Sequence, residues 1–287
     1  MMVSAAAGAV PAAPALPQVP FGKHSVSRLI VGGNPVSGNS HVDARLSSEM
    51  ADYFTAANVK KMLRECEAAG INTWQSRADR HIIRLLREYR NEGGKIQWLA
   101  QTASEIVDVR RNIAEIAAAG AIGAYHHGNR TDALYMTGKL KELQDYMKAM
   151  HDAGLRAGVG THIPECHDLL ESKDWGIDFY MTCLYNLSRI KEECENLNGG
   201  PLKGEFFYDP DRERMLNRAR LSTKQCLIFK VYGATRKCGS EVQMKEVMRQ
   251  VFSSAKPSDC VVIGMFPKAS DQVSQNARLL RETLGGR

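Results

Sequence analysis

The chain has no CxxC pair, and its seven cysteines are an odd number. That excludes a disulfide framework and a structural zinc site and leaves mostly free thiols. No apolar run approaches the roughly 20 residues that cross a bilayer, so no membrane partner is expected. Clusters of basic residues interleaved with aromatics are also missing. Lys and Arg are scattered and the net charge is only +6, so no nucleic-acid partner is expected either. Residues 1–20 lack charge and are mostly Ala, Val, Pro and Gly, without helical or strand periodicity. They read as the apolar and cleavage-region part of an export leader without its basic beginning, or as a disordered Ala/Pro tail. The first reading makes the parent protein bacterial and periplasmic; the second leaves it cytoplasmic. What remains is ordinary for a globular protein: 287 residues, 44% hydrophobic and 24% charged. That length can bury the core of one large barrel or of two smaller domains.

From Arg28 onward, apolar stretches of strand length alternate with segments at helical spacing. The pattern predicts strands over 29–33, 72–76, 97–102, 122–127, 156–161, 179–184, 226–232 and 260–264. It predicts helices over 58–68, 80–89, 105–118, 139–153, 211–221, 241–252 and 271–284. Ala-Gly steps at Gly70, Gly120 and Gly154 suit the left-handed backbone that ends a helix. Eight strands alternating with helices indicate parallel βαβ units and an α/β fold, the (β/α)8 TIM barrel. One barrel domain is therefore expected over 21–287, with an insertion loop at 188–209 lying over the mouth and marked by Gly199-Gly200-Pro201.

Several segments resemble the aldo-keto reductases. Phe21 to Pro35 is similar to that family's opening hairpin and first strand. Gly70-Ile71-Asn72-Thr73-Trp74-Gln75-Ser76 resembles its "GINxxDTA", and Trp98-Leu99-Ala100-Gln101-Thr102 its strand ending in Lys. Gly158 to His162 is similar to "GvSN", and Val261 to Gly264 followed by Asp271 to Asn276 is similar to "VIPG…QVxEN". The resemblance implies an aldo-keto-reductase-type barrel that binds NADP(H). It also implies a broken tetrad. The family's Asp falls at Gln75, its Lys at Gln101 and its Tyr at Arg80, and only its His survives, at His127 beside Tyr125. The family's reaction needs a phenol acidified by a neighbouring cation, which glutamine cannot provide. The pair that holds the nicotinamide amide reads Thr161-His162, while Lys268 and Ser270 stand where a cofactor phosphate could be gripped near a helix start. Lys268 reads more simply as a solvated loop residue.

Histidine is what the strand ends carry instead: His41, His81, His126, His127 and His162, with Glu165 and His167 close behind. The carboxyl ends of barrel strands converge on the active site. His41, His127, His162 and Glu165 are therefore candidate ligands for zinc or a similar divalent metal. The same histidines also serve as metal-free acid–base groups or as structural side chains. Adjacent His126 and His127 alternate across their strand, so at most one enters the mouth. Lys230 interrupts an apolar strand, and period two places it on one face with Tyr232. Desolvated there, it is a candidate base, oxyanion partner or Schiff-base nucleophile, or else the partner of Glu165 or Asp209. Catalytic candidates are thus His127, Lys230, Glu165 and Tyr125. Asn34, Trp74, Gln75, Arg77, Gln101, Asn186 and Tyr232 offer amides, charge and aromatics suited to a small polar, sugar-derived substrate.

Three functions remain open. The first is a non-redox lyase, isomerase or hydrolase using histidine, with or without metal, for proton transfer. The second is an NADP(H)-dependent carbonyl oxidoreductase with a rearranged site. The third is a non-catalytic binding protein.

Overall fold

The computed structural model describes residues 15–285. Most of the segment expected as leader or tail, residues 1–14, lies outside the described residues. The rest of it belongs to the barrel: Leu16 and Val19 are buried, and pairing starts at Gln18. The hairpin β1 (Gln18–Phe21) and β2 (His24–Ser27) comes first. Then follow β3 (Leu29–Gly32), α1 (Ala44–Tyr53), α2 (Ala56–Ala68), β4 (Thr73–Arg77), α3 (Arg80–Asn91), β5 (Gln97–Gln101), α4 (Val109–Ala118), β6 (Gly123–His126) and α5 (Gly128–Met136). A 3-10 turn leads into α6 (Leu143–Asp152), β7 (Arg156–Thr161), α7 (Pro164–Glu171), β8 (Phe179–Cys183), α8 (Lys191–Asn198), α9 (Pro210–Leu221), β9 (Gln225–Phe229), α10 (Glu241–Ser254), β10 (Cys260–Gly264) and α11 (Gln272–Gly285).

Strands β3 to β10 form a closed barrel in chain order, every neighbouring pair parallel. The closing pair aligns Val261 with Leu29 through to Gly264 with Gly32. Closure splits the core in two. Ile30, Leu99, Tyr125, Phe179, Met181, Leu227 and Val262 fill the inside of the ring. A larger layer, including Trp74, Trp98, Tyr180 and the apolar faces of the helices, packs outside it. Because side chains alternate along a strand, each inward residue is flanked by two that pack under helices. Gly158 leaves room inside for the Phe179 ring, which a Cβ there would meet at 2.3 Å.

The hairpin closes the amino-terminal end of the ring. Phe21 packs edge-on against Phe179, with centroids 5.0 Å apart, and the Arg156 guanidinium lies 4.3 Å from the Phe21 ring centre. Polar bonds tie the hairpin to the strand starts. Asn72 accepts from the Ser27 N–H at 2.8 Å, and Gln97 donates to the Ser25 carbonyl at 2.7 Å.

The structure differs from the sequence pattern where polarity hides the period. Helix α1 buries Met50 alone but is capped by Asp43, which accepts from the Leu46 N–H at 2.6 Å. The insertion at 188–209 contains the helix α8, half of it charged, with only Cys194 buried. Helix α4 starts at Val109, not at 105, because Asp108 caps it. Strand β9 stops at Phe229, short of Tyr232, because Lys230 adopts left-handed backbone with φ 60°. The cysteines are free, and of them only Cys238 is exposed. No helix of the described residues is long and apolar enough to cross a membrane.

The hairpin plug predicts that Phe21→Ala destabilises the barrel by about 3–5 kcal/mol, since it empties a site 1% exposed. Urea denaturation measures this; a change under about 1 kcal/mol would mean the ring end closes without it.

Candidate active site at the barrel mouth

Gln75 and Gln101 point into the ring and meet on Tyr125. Gln75 Nε2 donates to the Tyr125 hydroxyl at 2.7 Å, and that hydroxyl donates to Gln101 Oε1 at 3.2 Å. Register sets this up, with Gln101 opposite Tyr125 across the β5–β6 pair. The phenol thus lies between two uncharged amides, and burial pushes its pKa above the ordinary value. Arg80 is exposed at the start of α3. With His81 it lines a cleft of about 590 Å³ between the loops after β4 and β5.

The ends of β6 and β7 carry the second group. His126 turns outward, bonds Thr131 Oγ1 at 2.8 Å and stacks on Tyr146. His127 faces the mouth as the N-cap of α5, its Nδ1 accepting the Asn129 N–H at 3.1 Å. That bond places the ring proton on Nε2. Burial, then the nearby His162, Arg77 and Arg130, lower the His127 pKa to about 4, so the ring is neutral at physiological pH. His162 follows β7 and is 7% exposed. Its Nδ1 lies 2.7 Å from Asp132 Oδ2, which makes Nδ1 the donor of that bond. Gly128 permits this packing, since a Cβ there would meet His162 Cε1 at 2.8 Å. Asp132, on α5 and 1% exposed, also accepts from Thr161 Oγ1 at 2.5 Å and Ser188 Oγ at 2.6 Å. Burial alone would raise its carboxyl, but the bonds from His162, Ser188 and Thr161 hold it below the usual value.

Lys230 and the insertion make the third group. Lys230 Nζ lies 5.4 Å from the Phe207 ring centre. Burial, with a small push from Arg236 and against Cys183 and Glu205, lowers its pKa to about 8. The expected alternation is therefore corrected: Phe229, not Lys230, faces inward with Leu227, and Lys230 reaches the mouth through its left-handed turn. Tyr232 packs in the outer core away from it, with its hydroxyl buried and unpaired. Cys183 is buried beneath, its thiol pushed up to about 12 by burial, and behaves as a small apolar filler. His41 bonds Glu205 at 2.9 Å through Nδ1 and Asn34 Nδ2 at 3.1 Å through Nε2.

The structure does not bring every candidate to the mouth. Trp74 points outward under the helices and is fully buried, since it alternates with Gln75. Glu165 lies on the outer face of α7, paired with Arg214 of α9. His41 is engaged by Glu205. The ligand set His41, His127, His162 and Glu165 is therefore not assembled, and among the described residues no group of three His, Cys, Asp or Glu side chains is placed to hold a metal ion. Lys268 pairs with Glu49 at 2.8 Å, and Ser270 is exposed beside it. Thr161 and His162, which the resemblance sets against a nicotinamide amide, both spend their donors on Asp132, so these two residues fit that amide poorly. Arg77 sits at the rim between Asp79, at 3.4 Å, and Glu105. Asn186 braces the insertion, its amide accepting the Ser188 N–H at 3.1 Å. Asp132, Ser188, Glu205, Phe207 and Arg236 escaped sequence reading. Only the Phe206-Phe207 step inside a polar insertion hinted at any of them.

No family model matches the chain, and no curated protein does. Solved structures share its fold. A phospho-2-dehydro-3-deoxyheptonate aldolase from Thermotoga maritima is 10% identical over 95% of this chain and 73% of that one, with a TM-score of 0.54. An aldo-keto reductase from Bacillus halodurans, in its holo form, is 10% identical over 93% and 90%, with a TM-score of 0.52. A 3-dehydroquinate dehydratase from Geobacillus kaustophilus is 13% identical over 80% and 87%, with a TM-score of 0.50. The chain is a TIM barrel of the kind found in enzymes of several classes, and at these identities the likeness shows the fold alone.

Asp132→Asn should destabilise the protein by about 2–4 kcal/mol at pH 7, since it removes a buried charge that accepts several bonds. The folded carboxyl titrates below its unfolded value of about 3.9, so its contribution is present above that pH and lost as pH falls through the folded value. Melting curves of the two proteins should therefore converge in acid. A gap that is constant down to pH 2 would remove the charge from the explanation.

Proposed function

We propose that this chain is a non-redox enzyme on an aldo-keto-reductase-like barrel, catalysing proton transfer next to a carbonyl in a small polar substrate. That is lyase or isomerase chemistry. The observation that carries the reading is the opposed hydrogen bonding of two imidazoles at the mouth, one Nδ1 facing a carboxylate and the other a backbone N–H. In the neutral ring, His162 Nδ1–H donates a hydrogen bond to Asp132, which leaves Nε2 free to accept a proton. His127 accepts at Nδ1, which leaves an Nε2–H free to donate. One ring can take the proton from carbon while the other polarises the carbonyl oxygen, and neither need change tautomer first. Asp132 orients the base and balances the charge that develops on it, the role a buried carboxylate plays behind a catalytic histidine. Lys230 supplies positive charge to the same mouth, where an enolate would gather negative charge.

The resemblance to the reductases extends to the frame and to His127. Support for a change of chemistry comes from the middle of the ring. Hydride transfer by the family's route needs an acidified tyrosine, and Tyr125 is instead a buried phenol between two amides. None of the steps in the proposed reaction uses nicotinamide.

Exchange of α-protons for deuterium tests this. In D2O the purified protein should exchange the α-protons of some member of a panel of ketoses and 2-oxo acids, read by NMR. His162→Gln should slow that exchange by about 10²–10⁴-fold, the usual range for removing a general base. No exchange, together with oxidation of NADPH by the same panel, would instead establish the oxidoreductase. The same assay reads Lys230. Its positive charge is present below a pKa of about 8 and lost above it, so the rate should fall as pH rises through 8. Lys230→Arg should move that alkaline limb above pH 10, because a guanidinium stays charged there.

A further inference from the structure

All four non-glycine residues with left-handed backbone among the described residues, His41, Lys230, Ala234 and Thr235, lie in two loops, the one after β3 and the one after β9. Such conformations are costly for side chains with a Cβ, and they persist where surrounding contacts impose them. These two loops clamp one object, the Glu205-Phe206-Phe207 segment of the insertion. His41 Nδ1 donates to the Glu205 carboxylate at 2.9 Å. The Arg236 guanidinium lies 3.9 Å from the Phe207 ring centre and donates to the carbonyls of His41, Gly233 and Ala234, each at 3.2 Å. Lys230 lies under the same ring. The hydrogen bond from His41 does most to hold the Glu205 carboxyl below its usual pKa; burial opposes this, and the charges of Lys230 and Arg236 add to it.

A carboxylate at the mouth of a barrel, bonded by one imidazole N–H and with two cations near it beyond ion-pair distance, is in the position of a bound acid. We propose that Glu205 sits in the seat for an oxyanion group of the substrate, a carboxylate or a phosphate, and that the substrate displaces it. The seat consists of His41, Lys230 and Arg236. This deepens the reading above, on which it rests for the carbonyl part of the substrate. Two features separate it from an ordinary surface ion pair. Glu205 belongs to an insertion whose base is held separately by the buried Arg189–Asp211 pair, so the Glu205 side chain can leave without unfolding that anchor. The loop after the seventh barrel strand is also where this fold commonly holds anions, through cations and turned backbone.

A tethered carboxylate competes at a high effective concentration, so an added anion binds only as tightly as the open fraction allows. Calorimetric titration of the full chain with malonate and with inorganic phosphate, at constant ionic strength, tests the seat without needing turnover. Glu205→Gln should bind one or both probes at least about tenfold more tightly than the unaltered chain, as expected if the tip is closed roughly nine-tenths of the time. Arg236→Met added to Glu205→Gln should cancel the gain. Lys230→Met, which leaves the loop's hydrogen bonds in place, should weaken it independently. A gain with malonate alone assigns a carboxylic acid, and with phosphate alone a phosphate ester. If Glu205→Gln binds neither probe more tightly, or if the gain survives loss of both cations, the seat is not there. Failure of the exchange assay with success here would leave an oxyanion-binding barrel of different chemistry.

Discussion

The closed ring of parallel hydrogen bonds is the constraint on which everything else rests. Once β10 pairs with β3, no strand can rotate or slip without breaking two ladders. The inward or outward direction of each side chain is then fixed by its parity along the strand. Gln75, Gln101 and Tyr125 meet because their parities agree, although 50 residues separate the first from the last. Trp74 and His126 are excluded from the mouth by the same rule, one position away from residues that enter it. The strand ends bring together what the chain keeps apart, so the site is a property of the ring more than of any one loop.

Charge is distributed over that frame in a definite way. The middle of the ring is neutral, with amides around a phenol. Carboxylates appear at the rim, where each is bonded: Asp132 by His162, Glu205 by His41, and Asp79 and Glu105 by Arg77. A buried carboxylate is tolerated when hydrogen bonds replace its water, and Asp132 has them from three side chains. The cost of bringing charge into the barrel is thereby met at its edge, while the centre stays polar without being ionic.

Much of this was legible in the sequence, and the rest fails for identifiable reasons. The eight strands were readable because parallel strands covered on both faces are nearly continuous apolar runs; 156–161 and 260–264 match their predicted limits at both ends. Helices α1, α5 and α8 were not, because a short helix held by caps and polar contacts has no apolar stripe to show. Asp132 was lost with α5. Lys230 was recognised as unusual, but its direction depended on a backbone turn that residue alternation cannot foresee. Glu165 followed its histidine closely in sequence, yet one helical turn carried it to the outside.

The hairpin that plugs the amino-terminal end has a consequence for traffic. With Phe21, Val19 and Val26 packed into that end, the barrel is a cul-de-sac. Whatever enters must leave by the same doorway, past the 188–209 segment. Arrival and departure are therefore mutually exclusive events, and nothing can be passed through the axis to a second protein stationed behind it.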